Sequence, residues 1–358
     1  MREEHLKEVS QIVIKFGTGI LTNARNLPDL KQIEQLVNQV AALHRTGKEV
    51  IVVSSGAVGA GMGALGLTKR PSLLPKLQAC AALGQSQLVA TYQDFFSRKD
   101  ILTAQVLLTH EDLKDHDRHL NARNTLATLM SDGIVPIVNE NDAVSFTELK
   151  FGDNDALSAL VASLLPVDLL VILTTTEGVI KGFGTPQAQR LGVIERIDRG
   201  IESLARGTRD ATATGGMVTK IQAAKIASRS GIPTIIGSGR KKHILKHMMA
   251  GKDEGTLILP SAAKLKGRKR WIAFFHHPHG RLVVDEGAKT ALREHGKSLL
   301  AKGLIRVEGP FRNKDIVSIC DAEGIEFARG IAAFDADQFS RDSLPEKVAV
   351  HRNNLVIL

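Results

Sequence analysis

The chain has 358 residues, too many for one ordinary core, so two domains are expected, one large and one small. An apolar fraction of 43% is that of a globular protein, which excludes a disordered or fibrous chain. A formal charge of +9 suits anionic small molecules or nucleic acid as partners better than a membrane surface.

The opening MREEHLKEVS is charged and lacks an apolar signal core, and no later run approaches the length of a membrane span. A cytoplasmic protein with no membrane partner is expected. Cys80 and Cys320 sit in apolar surroundings in what read as different domains, so no disulfide framework is expected. Residues 11–16 (QIVIKF) read as a buried strand that delivers Lys15 to the turn Gly17-Thr18-Gly19. Residues 28–45 follow as a helix with Ile33, Leu36, Val37, Val40 and Leu43 on one face. A second strand, 49–55, runs into SGAVGAGMGALG, where small residues suit close approach to a ligand and a helix start offers free amides. Gly61, Gly63 and Gly66 match the spacing of a dinucleotide fingerprint. They lie past the strand end, and no acidic residue stands about 20 positions on, so that motif is rejected.

A long helix over 74–98 is expected to break near Gly84, and a strand over 101–108 and a helix over 118–130 come next. The strand 134–138 ends in Asn139, Glu140, Asn141 and Asp142, a turn or a site. Residues 151–164, FGDNDALSALVASL, begin a helix with Asp153, Asn154 and Asp155, which could simply cap its first turn. The strand 168–173 ends at Thr174, Thr175 and Thr176, and 178–192 reads as loose and polar. TGGMVTK then opens a helix that carries Lys220; a Gly-Gly turn there is an anion-binding arrangement, though not a P-loop. Short strands are expected over 233–238 and 256–259. The alternation of strands and helices implies an α/β three-layer sandwich with a mostly parallel central sheet. Lys15, Ser55, residues 139–142 and Thr174 all fall at carboxyl ends of strands, where such sheets bind ligands.

Basic residues crowd a connector near residue 264, and beyond it RLVVD, IRVEG, DIVSIC and LVIL suggest a small β-rich module with a helix over 287–295. The expected division is a catalytic domain over 1–262, a basic linker over 263–270 and the small domain over 271–358. His276, His277 and His279 have no cysteine or carboxylate nearby to complete a tetrahedral set, so no protein-held metal is expected.

VIKFGTGIL, VVSSGAVGAG, LNARNTL, IVPIVNENDAV, FGDNDALSALVA and TGGMVTKIQAA, followed by KRWI, VDEGA, SLLAKGL and VAVHR, occur in one order over nearly the whole chain. In that order they resemble the glutamate 5-kinases, with an amino-acid-kinase domain followed by a PUA domain. The resemblance implies phosphorylation of the γ-carboxylate of L-glutamate by ATP and Mg²⁺, the first step of proline synthesis. It implies that Lys15 and Lys220 stabilise the phosphoryl group and Asp155 organises them, and that Ser55, Asp142 and Asn154 bind glutamate. It places Thr174, Thr175 and the run Thr214, Gly215, Gly216, Met217, Val218, Thr219 and Lys220 at the nucleotide, with Lys15. It further implies a homo-oligomer (dimer or tetramer), feedback inhibition by proline, and hand-off of the acyl phosphate to glutamate-5-semialdehyde dehydrogenase.

Three departures fall on the nucleotide side. Thr175 stands where the family usually has Asp, Ala213 replaces a glycine before TGG, and 178–192 is shortened. The segment 334–348 is also short for a PUA tail. The alternative kept open by Thr175 is a catalytically weakened kinase fold that binds glutamate or proline and acts through the PUA-like module, on RNA.

Overall fold

The computed structural model describes residues 2–23, 27–144, 154–206, 216–261, 269, 272–273, 278–338 and 347–358. The chain forms two compact units, Met1–Lys264 and Leu265–Leu358.

In the first unit the strands are β1 (Gln11–Phe16), β2 (Glu49–Val53), β3 (Thr103–Leu108), β4 (Val135–Glu140), β5 (Leu169–Thr174), β6 (Ile180–Lys181), β7 (Gln189–Arg190), β8 (Val193–Ile194), β9 (Thr234–Ser238) and β10 (Thr256–Ile258). The helices are α1 (Arg2–Leu6), α2 (Thr18–Leu21), α3 (Leu30–His44), α4 (Ala57–Ala64), α5 (Leu74–Ser97), α6 (His110–Lys114), α7 (His116–Ser131), α8 (Asn154–Leu164), α9 (Arg199–Arg206), α10 (Met217–Arg229) and α11 (Ile244–Met249). One sheet takes the order β3-β4-β2-β1-β5-β9-β10-β8. Its pairs are parallel except that β10 runs antiparallel to β9. The expected α/β sandwich is present. Strands such as EVIVV and LLVILT are continuous apolar runs because both of their faces are covered.

Ile12, Ile14 and Phe16 of β1 pack with Ile33, Leu36, Tyr92, Phe96 and Ile244, so α3, α5 and α11 cover one face. Alternation along the strand turns Val13 and Lys15 to the other face, where α8 lies against β1, β2, β4 and β5 and packs on α10. Residues 178–192, expected to be loose, contain the hairpin β6–β7. The expected break at Gly84 is absent, and α5 is continuous over Leu74–Ser97. A Cβ on Gly84 would stand 1.9 Å from the Ala57 carbonyl oxygen, and one on Gly61 would stand 1.8 Å from that of Cys80. These glycines let α4 and α5 touch backbone to backbone. At Gly61 the close approach is to a neighbouring helix.

The second unit holds β11 (Gly280–Val284), α12 (Glu286–Arg293), β12 (Leu299–Leu300), β13 (Leu304–Glu308), β14 (Ile316–Cys320), β15 (Glu326–Ile331), β16 (Val348–Val350) and β17 (Leu355–Ile357). A five-stranded sheet runs β13-β11-β14-β15-β17, beside the pair β12-β16. Leu282, Val284, Leu304, Val317, Ile319, Phe327 and Val350 form its core. Cys80 and Cys320 are both free and buried, one in each unit. Among the described residues no helix is long and apolar enough to cross a membrane.

Candidate active site

Parallel register brings the carboxyl ends of β1, β2, β4 and β5 to one edge, with Lys15 beside Val53 and Ile172, and Val53 beside Val138. From that edge Lys15 reaches the second residue of α8. Its Nζ lies 2.6 Å from Asp155 Oδ1. Lys220, in the first turn of α10, places its Nζ 3.1 Å from Asp155 Oδ2, and the Thr219 hydroxyl donates to the same oxygen at 2.7 Å. Asp155 is 0% exposed, and Lys15 and Lys220 are 4% and 5% exposed, so three charges stand together out of water. Burial pushes the Asp155 carboxyl up, but the two ammonium groups and the Thr219 hydroxyl outweigh it and hold the pKa at about 2. Two ammonium groups against one carboxylate leave a net positive charge. Asp155 is therefore not the helix cap that its position also allowed.

A second polar group adjoins the first. Asn154 Nδ2 shares its two hydrogens among the Ser54 carbonyl at 2.8 Å, Ser55 Oγ at 2.9 Å and Asn139 Oδ1 at 2.9 Å. Ser54 Oγ meets the fully buried Tyr92 hydroxyl at 2.8 Å, which anchors the end of β2 to α5. Burial pushes the Tyr92 hydroxyl pKa up, against the smaller opposing effect of that bond. Asn139 and Glu140 are strand residues of β4, 1% and 5% exposed, where a turn was the simpler expectation. Asn139 Nδ2 donates to Gln85 Oε1 at 2.7 Å. Gln85, Glu140, Asn141, Asp142, Ala57 and Ala81 line a cavity of about 250 Å³. Sequence reasoning did not single out Gln85, which sits mid-helix without a local signal, or the part played by Asn139.

On the opposite side, β5 ends in the buried Thr174, whose carbonyl accepts the Gly239 N–H at 2.9 Å. Gly17 N–H donates to the Leu173 carbonyl at 3.0 Å, which seats the turn after β1 on the end of β5. Thr175 is exposed, and a Cβ on Gly19 would come within 2.9 Å of its methyl group. Gly216 is the N-cap of α10 and supplies no side-chain cap.

The sequence profile of the amino acid kinase family matches residues 10–238, and that of the PUA domain matches residues 280–341. A glutamate 5-kinase of Syntrophotalea carbinolica is 45% identical over 100% of both chains, and one of Pelobacter propionicus is 41% identical, again over 100% of both. The chain belongs to the glutamate 5-kinase family. A glutamate 5-kinase of Caldanaerobacter subterraneus, 42% identical, covers 97% of this chain and 98% of its own. Carbamate kinase from Giardia lamblia, in a structure bound to AMP-PNP, superposes with a TM-score of 0.52 at 19% identity, covering 71% of this chain and 99% of its own. That likeness is one of fold.

Of the residues that the glutamate 5-kinase motifs singled out, the fold unites Lys15, Asp155, Thr219 and Lys220 in one cluster and Ser55 and Asn154 in the next. Asp142 lines the adjoining cavity. Gly216, Met217 and Val218 form the start of α10 at the same edge, Met217 buried and Val218 half-buried. Thr214 and Gly215 lie outside the described residues, as do Asp153, Ala213, His276, His277 and most of the basic connector. His279 is exposed, with its Nδ1 3.2 Å from Asp315, so it pairs with a carboxylate. Among the described residues no group of three or more His, Cys, Asp or Glu side chains could hold a metal.

Proposed function

We propose that this chain transfers the γ-phosphoryl group of ATP to the γ-carboxylate of L-glutamate, giving γ-glutamyl 5-phosphate, the first step of proline biosynthesis. The observation that carries this is the buried Asp155 held between Lys15 and Lys220. Bringing a carboxylate to a phosphate costs about 4 kcal/mol for each pair of like charges at 4 Å, with an effective dielectric near 20. Two lysines converging from β1 and α10 offset that cost where the phosphoryl group passes. Asp155 fixes both ammonium groups while leaving a net positive charge, so stabilisation needs no rearrangement at the moment of transfer. The acceptor carboxylate is already ionised at neutral pH, so no general base is required. Mg²⁺ belongs with the nucleotide's phosphates, and the residues described form no cage for it.

Ser55, Asn154 and Asp142 are assigned to glutamate, and Lys15, Thr174, Thr175 and the run 214–220 to the nucleotide. Residues 1–262 make the catalytic domain, 263–270 the linker and 271–358 the PUA-like domain. With these we propose a cytoplasmic homo-oligomer, inhibited by proline, whose acyl phosphate passes to a reductase. The test is nucleotide turnover by the purified protein with ATP and Mg²⁺, trapping acyl phosphate with hydroxylamine. Hydroxamate is expected with glutamate and not with aspartate or without acceptor. Glutamate or proline binding without turnover would replace this assignment by a regulatory one, with Thr175 as the altered position.

A further inference from the structure

The amide network ends on an open hydrogen bond at Gln85, and its orientation is fixed. The backbone N–H of Glu140 can only donate, and it meets Asn139 at 2.9 Å, so the atom there is Oδ1. The other end of that amide is then Nδ2, whose donation at 2.7 Å fixes the Gln85 atom as Oε1. Gln85 Nε2 is left buried, with no hydrogen-bond partner among the described residues, on a side chain 8% exposed. A buried donor of this kind is costly to leave unmade, and here it belongs to a residue that lines the cavity beside Glu140 and Asp142.

The chemistry of that cavity is two-sided. Glu140 and Asp142 suit an ammonium group and repel an anion, whereas an amide N–H suits a carboxylate. An α-amino acid presents both groups on one carbon, and a plain carboxylic acid does not. Resting on the kinase assignment above, we propose that Gln85 is a substrate-binding residue whose Nε2 donates to the α-carboxylate of the amino-acid substrate, the one not phosphorylated. Asn139 holds the amide in that orientation and is itself held by Glu140 N–H and Asn154.

Two variants of the full chain separate binding from support. Q85E keeps an acceptor for Asn139 but replaces the donor by a second acceptor, whereas Q85M removes both. For Q85E the KM for glutamate rises about 10- to 100-fold, the scale of a lost hydrogen bond to a charged group. Its KM for ATP stays at the wild-type value. Q85M shows the same rise in KM together with a lower melting temperature. Isothermal titration of glutamate into wild type and Q85E repeats the split as a change in Kd, so Gln85 is judged even if wild type forms no hydroxamate. That last result would sink the kinase assignment alone. A Q85E protein with wild-type KM and Kd for glutamate, or one altered only in kcat or melting temperature, overturns the assignment of Gln85 and leaves Nε2 to a water molecule.

Discussion

At the scale of single residues, one carboxylate stands between two lysines, and the proposed chemistry and the stability of the fold can both be tested there. Lys220→Ala removes one of the two cations, so turnover should fall by about 10²- to 10³-fold, the scale of one electrostatic donor in a water-excluded site. A near-normal rate in the hydroxamate assay would remove Lys220 from the mechanism. Asp155 also links stability to pH. Its folded pKa, about 2, lies below the ordinary aspartate value of 3.8, so its contribution is present above pH 4 and is lost as pH falls toward 2. Asp155→Asn leaves two buried ammonium groups facing each other and should lower the denaturation midpoint at pH 7. The gap between wild type and variant should close between pH 4 and pH 2, and a gap constant over that range would contradict the ion-pair account. Lys15, Asp155 and Lys220 were legible in the sequence because a lysine or carboxylate beside a glycine turn at an element's end is poor core material. Gln85 was not, since its partner Asn139 is 54 positions away and only packing brings them together.

At the scale of elements, the parallel strands were readable as apolar runs, and most of their bounds differ by one or two residues from expectation. Isolated glycines misled. Gly84 reads as a helix breaker by propensity, yet packing against α4 overrides propensity and the helix continues. Gly84→Ala should therefore destabilise by about 1 to 3 kcal/mol through overpacking, with a fall of several degrees in melting temperature, although alanine is the better helix former. Gln87→Ala, on the exposed face of the same helix, should leave the midpoint unchanged, which makes differential scanning calorimetry of the pair decisive. Equal midpoints for both variants would mean that α4 yields freely. The two-residue strands β6 and β7 were invisible because so short a stretch carries no alternation to detect.

At the scale of the whole molecule, the chain forms two units, and each has its own core. Every residue assigned to chemistry lies in Met1–Lys264. A chain ending at residue 264 should accordingly retain most of its glutamate-dependent hydroxamate formation, and complete loss in a fragment that still melts cooperatively would place an essential group in the second unit. The central place of β1 has a further consequence, for synthesis on the ribosome. The first sheet strand to emerge ends up flanked by β2 and β5, and its lysine waits for a carboxylate 140 positions later and for a second lysine 65 positions after that. At 5 to 20 residues per second, roughly 10 to 40 s separate the appearance of Lys15 from that of Lys220. A nascent chain stalled short of α10 carries Lys15 and Asp155 but no second cation, so the charge arrangement proposed for phosphoryl transfer is completed only when α10 has been made.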